Sequence, residues 1–178
     1  MQKSLSFADY MDSIKEAMDG IDESIRSVAG ILGTVKKNGG KLVVLGNGGS
    51  LSIAQHMAQD VLKMCGMRAM TINCPSMITA FSNDDGFEYS YFNPVSKMID
   101  ERDAVLIFSC SGKSRNYIEF VSGFPEKRMT VASVVGTDGG FLKEKSEACI
   151  HIKSFDYQVC ESAFCIVSDL LVKSLMED

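Results

Sequence analysis

From residue 7 onward, apolar side chains recur alternately four and three positions apart: Phe7, Met11, Ile14, Met18, Ile21, Ile25, Val28, Leu32 and Val35. That spacing predicts a helical seam held for about four heptads. Gly20 is placed to divide it into two helices, and NGGK at 38–41 supplies the glycines expected just past a helix C-terminus. Residues 1–40 therefore read as an N-terminal helical arm, lying on the rest of the chain or packed in part against another copy. A seam this long carries more apolar face than a small domain usually covers, which favours an oligomerisation arm.

After residue 40 the pattern changes. KLVVLG, AMTIN, AVLIFS, TVASVVG and ACIHI are short, continuous apolar runs rich in β-branched residues, separated by stretches with helical spacing. Strands buried on both faces and alternating with helices predict an α/β fold over 41–178. The expected architecture is a doubly wound, parallel, five-stranded sheet flanked by helices, with the helical arm before it. In such sheets ligands bind beyond the carboxyl ends of the strands. The loops after each run are thus where chemistry is expected.

The loop after the first run is Gly46-Asn47-Gly48-Gly49-Ser50. It permits a tight turn and close backbone approach to a ligand, with the N–H groups of the next helix pointing outward. It is not GxGxxG and lacks the acidic residue a dinucleotide ribose needs. The loop after the third run is Ser109-Cys110-Ser111-Gly112-Lys113-Ser114. A Walker A motif would need glycine where Ile107 stands. What remains is a serine-rich turn at a helix N-terminus, suited to a phosphate monoester. Serine is also a favoured helix cap, so one such loop has a purely structural explanation. Two on neighbouring strands favour a phosphorylated small molecule.

His56 and Asp60 stand four apart on the helix that leaves the glycine turn, so they share a face, while Ile53, Met57 and Val61 form its apolar side. The last helix, expected over 157–176, carries Glu161 and Asp169 among Val159, Ala163, Phe164, Ile166, Val167, Leu170 and Leu171. Acidic groups in that setting need a partner or a purpose. The plain alternatives are a packed histidine and an exposed acid on an amphipathic helix.

Composition narrows the function classes. A length of 178 residues suits one domain, and 46% hydrophobic with 23% charged residues is ordinary for a globular chain. The net charge of −5 argues against nucleic acid as a general partner. The polar, periodic N-terminus is not a signal peptide, and no apolar run approaches the roughly 20 residues of a membrane span. The six cysteines form no CxxC pair and several lie in apolar runs, as expected of reduced thiols in a cytoplasmic protein.

GNGGS followed by a helix with HxxxD, SNDDG at 82–86, SCSGKS at 109–114 and GTDGG at 136–140 resemble, in order and spacing, the sugar isomerase (SIS) domain family. The closest resemblance is to phosphoheptose isomerases, which interconvert sedoheptulose 7-phosphate and D-glycero-D-manno-heptose 7-phosphate through an enediol. It runs over essentially the whole chain and implies the doubly wound, flavodoxin-like sheet and a homotetramer. By resemblance, Ser109, Cys110, Ser111 and Ser114 grip the sugar phosphate, with Cys110 and Lys113 departing from the usual STSGNS. Asn47, Gly48 and Ser50 fall on the turn that holds the sugar, and Asp84 on the acidic residue that meets its hydroxyls. His56 matches a zinc-ligating histidine, and Asp60 the glutamate that is both ligand and acid–base. On the last helix the family has glutamine and, eight residues on, a histidine that is ligand and second acid–base; Glu161 and Asp169 stand there.

The resemblance thus implies catalysis by Asp60 and Asp169, and a divalent metal held by His56, Asp60, Glu161 and Asp169. Three carboxylates weaken the preference for zinc and admit manganese, and a site working without metal stays open. Two other readings accompany the isomerase. Some relatives keep the fold but bind a protein, one of them a bacterial replication initiator; others act on different sugar phosphates. A transcription regulator would carry a basic recognition helix, which the arm lacks.

Overall fold

The computed structural model of the protein describes residues 6–124 and 129–177. The first five residues of the expected arm lie outside the described residues. The arm is two helices, α1 (Phe7–Ala17) and α2 (Asp22–Lys37), separated at Gly20 with φ +75°. Ser6 caps α1, its Oγ accepting from the Asp9 N–H at 3.1 Å. Most of the seam is covered within the chain: Ile14, Ile21, Val28, Leu32 and Val35 are buried, while Phe7 stays exposed. The covering partner is the last and longest helix, α8 (Tyr157–Glu177).

Five strands follow: β1 (Lys41–Gly46), β2 (Arg68–Met70), β3 (Ala104–Ser109), β4 (Thr130–Val135) and β5 (Ala148–His151). All pair in parallel, in the spatial order β2-β1-β3-β4-β5. Four of the five apolar runs became strands close to their expected limits. The second is shorter than AMTIN, because this edge strand pairs only with β1 and Pro75 opens the next helix two residues after the run ends.

The helices between strands are α3 (Gly49–Met64), α4 (Pro75–Asp84), the short α5 (Phe92–Val95), α6 (Arg115–Ser122) and α7 (Gly140–Lys145). The core is therefore double. Leu42, Val44, Leu106 and Phe108 pack beneath α1, α2, α3 and α8. Val43, Leu45, Val105 and Ile107 face the other way, towards Tyr91, Tyr117, Phe120 and Leu142. Side chains alternating between two cores explain why each run reads as continuously apolar. Among the described residues no helix is long and apolar enough to cross a membrane.

The chain runs from β1 outward to β2 and then returns past β1 to β3. That reversal opens a crevice between the carboxyl ends of β1 and β3. The glycine turn and the serine turn stand on its two sides.

Candidate active site

The crevice holds a cavity of about 190 Å³. Asn47 and Ser50 line it from the β1 side, and Ser109, Cys110, Ser111 and Ser114 from the β3 side, with Glu161 of α8 above. Sequence reasoning thus named most of its polar lining. The serines do not all have the same duty. Ser109 Oγ accepts from Gly112 N–H at 3.1 Å and Ser111 Oγ from Lys113 N–H at 3.2 Å, so both also shape the turn. Ser114 is the N-cap residue of α6, yet its side chain makes no capping bond.

Gly112 makes the turn possible. Its φ is +63°, and a Cβ there would fall 1.9 Å from the carbonyl oxygen of Gly139. Its own carbonyl accepts from Leu142 N–H at 3.1 Å, tying the serine turn to α7. Lys113 turns away from the cavity. Its Nζ meets Asp138 Oδ2 at 2.6 Å, and that ammonium holds the Asp138 carboxyl below its usual range. Among the described residues no lysine or arginine lines the cavity, so hydroxyls and the backbone N–H groups opening α6 are what they offer an anion there.

The cysteine that replaces a hydroxyl stays uncharged. Cys110 faces Cys160 of α8: donation between the two thiols lowers Cys160 to about 7 and raises Cys110, with burial pushing Cys110 further up. Cys110 therefore adds no negative charge to the cavity at neutral pH. Two tyrosines stand behind the crevice with rings stacked at 5.9 Å. Tyr91 donates to the carbonyl of Gly46, fixing the end of β1, and burial pushes its phenol up to about 12. Tyr117 lines the cavity, and burial raises its phenol well above the ordinary value.

A second space, an open groove of about 500 Å³, runs between α1, α3 and α8 and is lined by Tyr10, Gly49, Ile53, Ser162 and Cys165. Glu161 lines both spaces. Its carboxylate lies over Gly49, where a Cβ would come within 2.3 Å of Oε1. No residue but glycine lets the acid settle so close to the start of α3, where the helix dipole favours it.

Further along the same helix pair, His56, Asp60 and Asp169 meet, with one ligand atom from each within 4.8 Å of the others. His56 Nε2 and Asp60 Oδ2 are 3.3 Å apart. His56 stands six residues past Ser50, about 9 Å along the α3 axis. An imidazole and two carboxylates suit a first-row divalent cation in number and chemistry. Glu161 is not in this group: eight residues before Asp169, it sits about 12 Å back along α8, at the cavity. Asp84 is not brought to the cavity either. It ends α4, exposed, with its Oδ1 accepting from Asn83 Nδ2 at 2.8 Å.

A profile of the SIS domain matches residues 6–136. A phosphoheptose isomerase of Geobacter metallireducens is 31% identical over 179 residues, covering 93% of this chain and 95% of the relative. A phosphoheptose isomerase of Proteus mirabilis is 35% identical over 140 residues, covering 76% of this chain and 73% of the relative. Among solved structures, the phosphoheptose isomerase of Neisseria gonorrhoeae superposes with a TM-score of 0.87 at 26% identity, covering 97% of this chain and 95% of that one.

Proposed function

The chain belongs to the SIS domain family, and we propose that it is a phosphosugar aldose–ketose isomerase. One observation carries this reading: an anion cavity, an open groove and a paired-carboxylate group succeed one another along a single helix, α3. A phosphorylated open-chain sugar matches that order. Its phosphate occupies the serine turn, its hydroxyl-bearing carbons pass Glu161 along the groove, and its carbonyl end reaches Asp60 and Asp169. The relatives named phosphoheptose isomerase support sedoheptulose 7-phosphate and D-glycero-D-manno-heptose 7-phosphate as the pair interconverted.

Isomerisation moves a proton between adjacent carbons through a cis-enediol and needs a base and an acid close together. One of Asp60 and Asp169 takes the proton from the carbon beside the carbonyl and returns it to the neighbouring carbon. The other, entering protonated, gives its proton to the carbonyl oxygen and recovers one from the adjacent hydroxyl. Bound by His56, Asp60 and Asp169, zinc or manganese would supply electrophilic polarisation of the carbonyl oxygen. The remote phosphate contributes by holding the reacting carbons in place.

The test is turnover of sedoheptulose 7-phosphate by the purified protein, as isolated, after chelation, and after refilling with zinc or manganese. Turnover lost on chelation and restored by one ion is the expected result. Turnover unchanged by chelation would overturn the metal assignment and leave the carboxylate pair. Absence of turnover under every condition would overturn this substrate and shift the reading to a different sugar phosphate or to a binding role.

We also read the face around this group as a contact between copies of the chain. Leu62 and Met64 of α3 and Ile166 and Leu170 of α8 are exposed there, and Phe7 is 82% exposed at the start of α1. Sedimentation of the purified chain is expected to give a tetramer; a monomer at all concentrations would refute it. The six free cysteines support a reducing, cytoplasmic setting.

A further inference from the structure

Asn116, the second residue of α6, is fully buried beside Tyr117 and Phe120. A buried carboxamide is costly unless hydrogen-bonded, and an apolar side chain of its size would pack there more cheaply. Its partner is Asn47. Asn116 Nδ2 donates to Asn47 Oδ1 at 3.0 Å, and Asn47 Nδ2 donates back to Asn116 Oδ1 at 3.0 Å. The two residues are 69 positions apart, and their pairing joins the glycine turn after β1 to the serine turn after β3.

The two members are not equivalent. Asn47 lines the 190 Å³ cavity and Asn116 does not, so Asn116 acts on a ligand only through Asn47. The backbone of the glycine turn has its own support, since Tyr91 holds the carbonyl of Gly46. What Asn116 adds is the orientation of one side chain.

That orientation has a chemical consequence. A carboxamide offers two N–H donors and two acceptor lone pairs. Reciprocal pairing consumes one of each, leaving Asn47 one N–H and one lone pair. A hydroxyl, which both donates and accepts, can meet either of them. An ionised phosphate, which only accepts, can use the N–H alone. We infer that Asn116 is a positioning residue that locks Asn47 as a reader of a sugar hydroxyl, leaving the phosphate to the serine turn. This inference rests on the phosphosugar reading above.

Asn116→Leu keeps the volume and burial and removes the pairing. In this variant sedoheptulose 7-phosphate is expected to bind about tenfold more weakly, the loss of one oriented hydrogen bond. Inorganic phosphate should bind within about twofold of the parent protein. The double variant with Asn47→Ala should bind the sugar phosphate no worse than Asn47→Ala alone. Penalties that multiply in the double variant, or a parallel loss of inorganic phosphate, would overturn the inference in favour of a structural role. A ligand-free readout separates the two levels. NMR should show the Asn47 side-chain amide protons protected from exchange in the parent and released in Asn116→Leu; equal protection in both refutes positioning. If that difference appears but the parent binds no sugar phosphate, the substrate reading and the hydroxyl assignment fail together, while the positioning of Asn47 holds.

Discussion

Asp60→Asn is expected to lower kcat by about a hundredfold or more, within the range lost when a positioned acid–base group is removed. Asparagine matches the shape of aspartate but cannot accept a proton from carbon. Because Asp60 lies beyond the residues that line the cavity proposed for the phosphate, affinity for the sugar phosphate should stay close to that of the parent. The variant also removes one oxygen from the His56–Asp60–Asp169 group, so its bound metal must be counted alongside its rate. Asp169→Asn should fail in the same way for the other half of the proton transfer. The discriminating measurement pairs steady-state turnover with calorimetric binding of the sugar phosphate. Wild-type kcat in Asp60→Asn would remove Asp60 from the mechanism, and lost binding would move it into ligand recognition.

The second large effect is expected at Gly112. An alanine there must adopt φ near +63°, which costs about 1–3 kcal/mol for a residue with a side chain. Its Cβ would also fall 1.9 Å from a backbone carbonyl, at Gly139, which cannot rotate away as a side-chain tip could. The serine turn must therefore move off the β4–α7 loop, taking Ser109 and Ser111 with it. At about 2–4 °C per kcal/mol for a chain of this size, Tm should fall by roughly 5 °C or more, and inorganic phosphate binding should be lost. Thermal melts with and without phosphate measure both. A Gly112→Ala protein that melts and binds phosphate like the parent would show that the turn is not held as described.

Local chemistry explains what was legible beforehand. A strand buried on both faces has no polar alternation, so KLVVLG and AVLIFS could be read directly, and they became β1 and β3. Gly20 and Gly39, at φ +75° and +65°, stand just past the two helices of the arm in a backbone region that favours glycine. The serine and glycine turns were legible for the same reason: a ligand approached by backbone needs small residues at short spacing, and both turns line the cavity between β1 and β3. His56 and Asp60 were paired by helical periodicity alone.

Other parts of the site depend on distance through the sheet. Asn116 looked like an ordinary helix residue, since nothing near it in the chain shows that Asn47 would lie opposite. Tyr91 gave no local sign that it would hold the Gly46 carbonyl. The arm's seam read as surplus apolar face because the length of α8 available to cover it is a property of the assembled chain. Glu161 and Asp169 share a helix and an eight-residue spacing, which suggested a common site. Packing separated them, placing Glu161 over Gly49 at the cavity and Asp169 beside His56 and Asp60. Alone, then, the sequence determined the strands, the turns and the kind of ligand they favour, because those follow from contacts between near neighbours along the chain. Which acids meet, which amide orients another, and how cavity, groove and carboxylates line up on α3 were decided only when parallel strand pairing brought distant turns to one edge of the sheet.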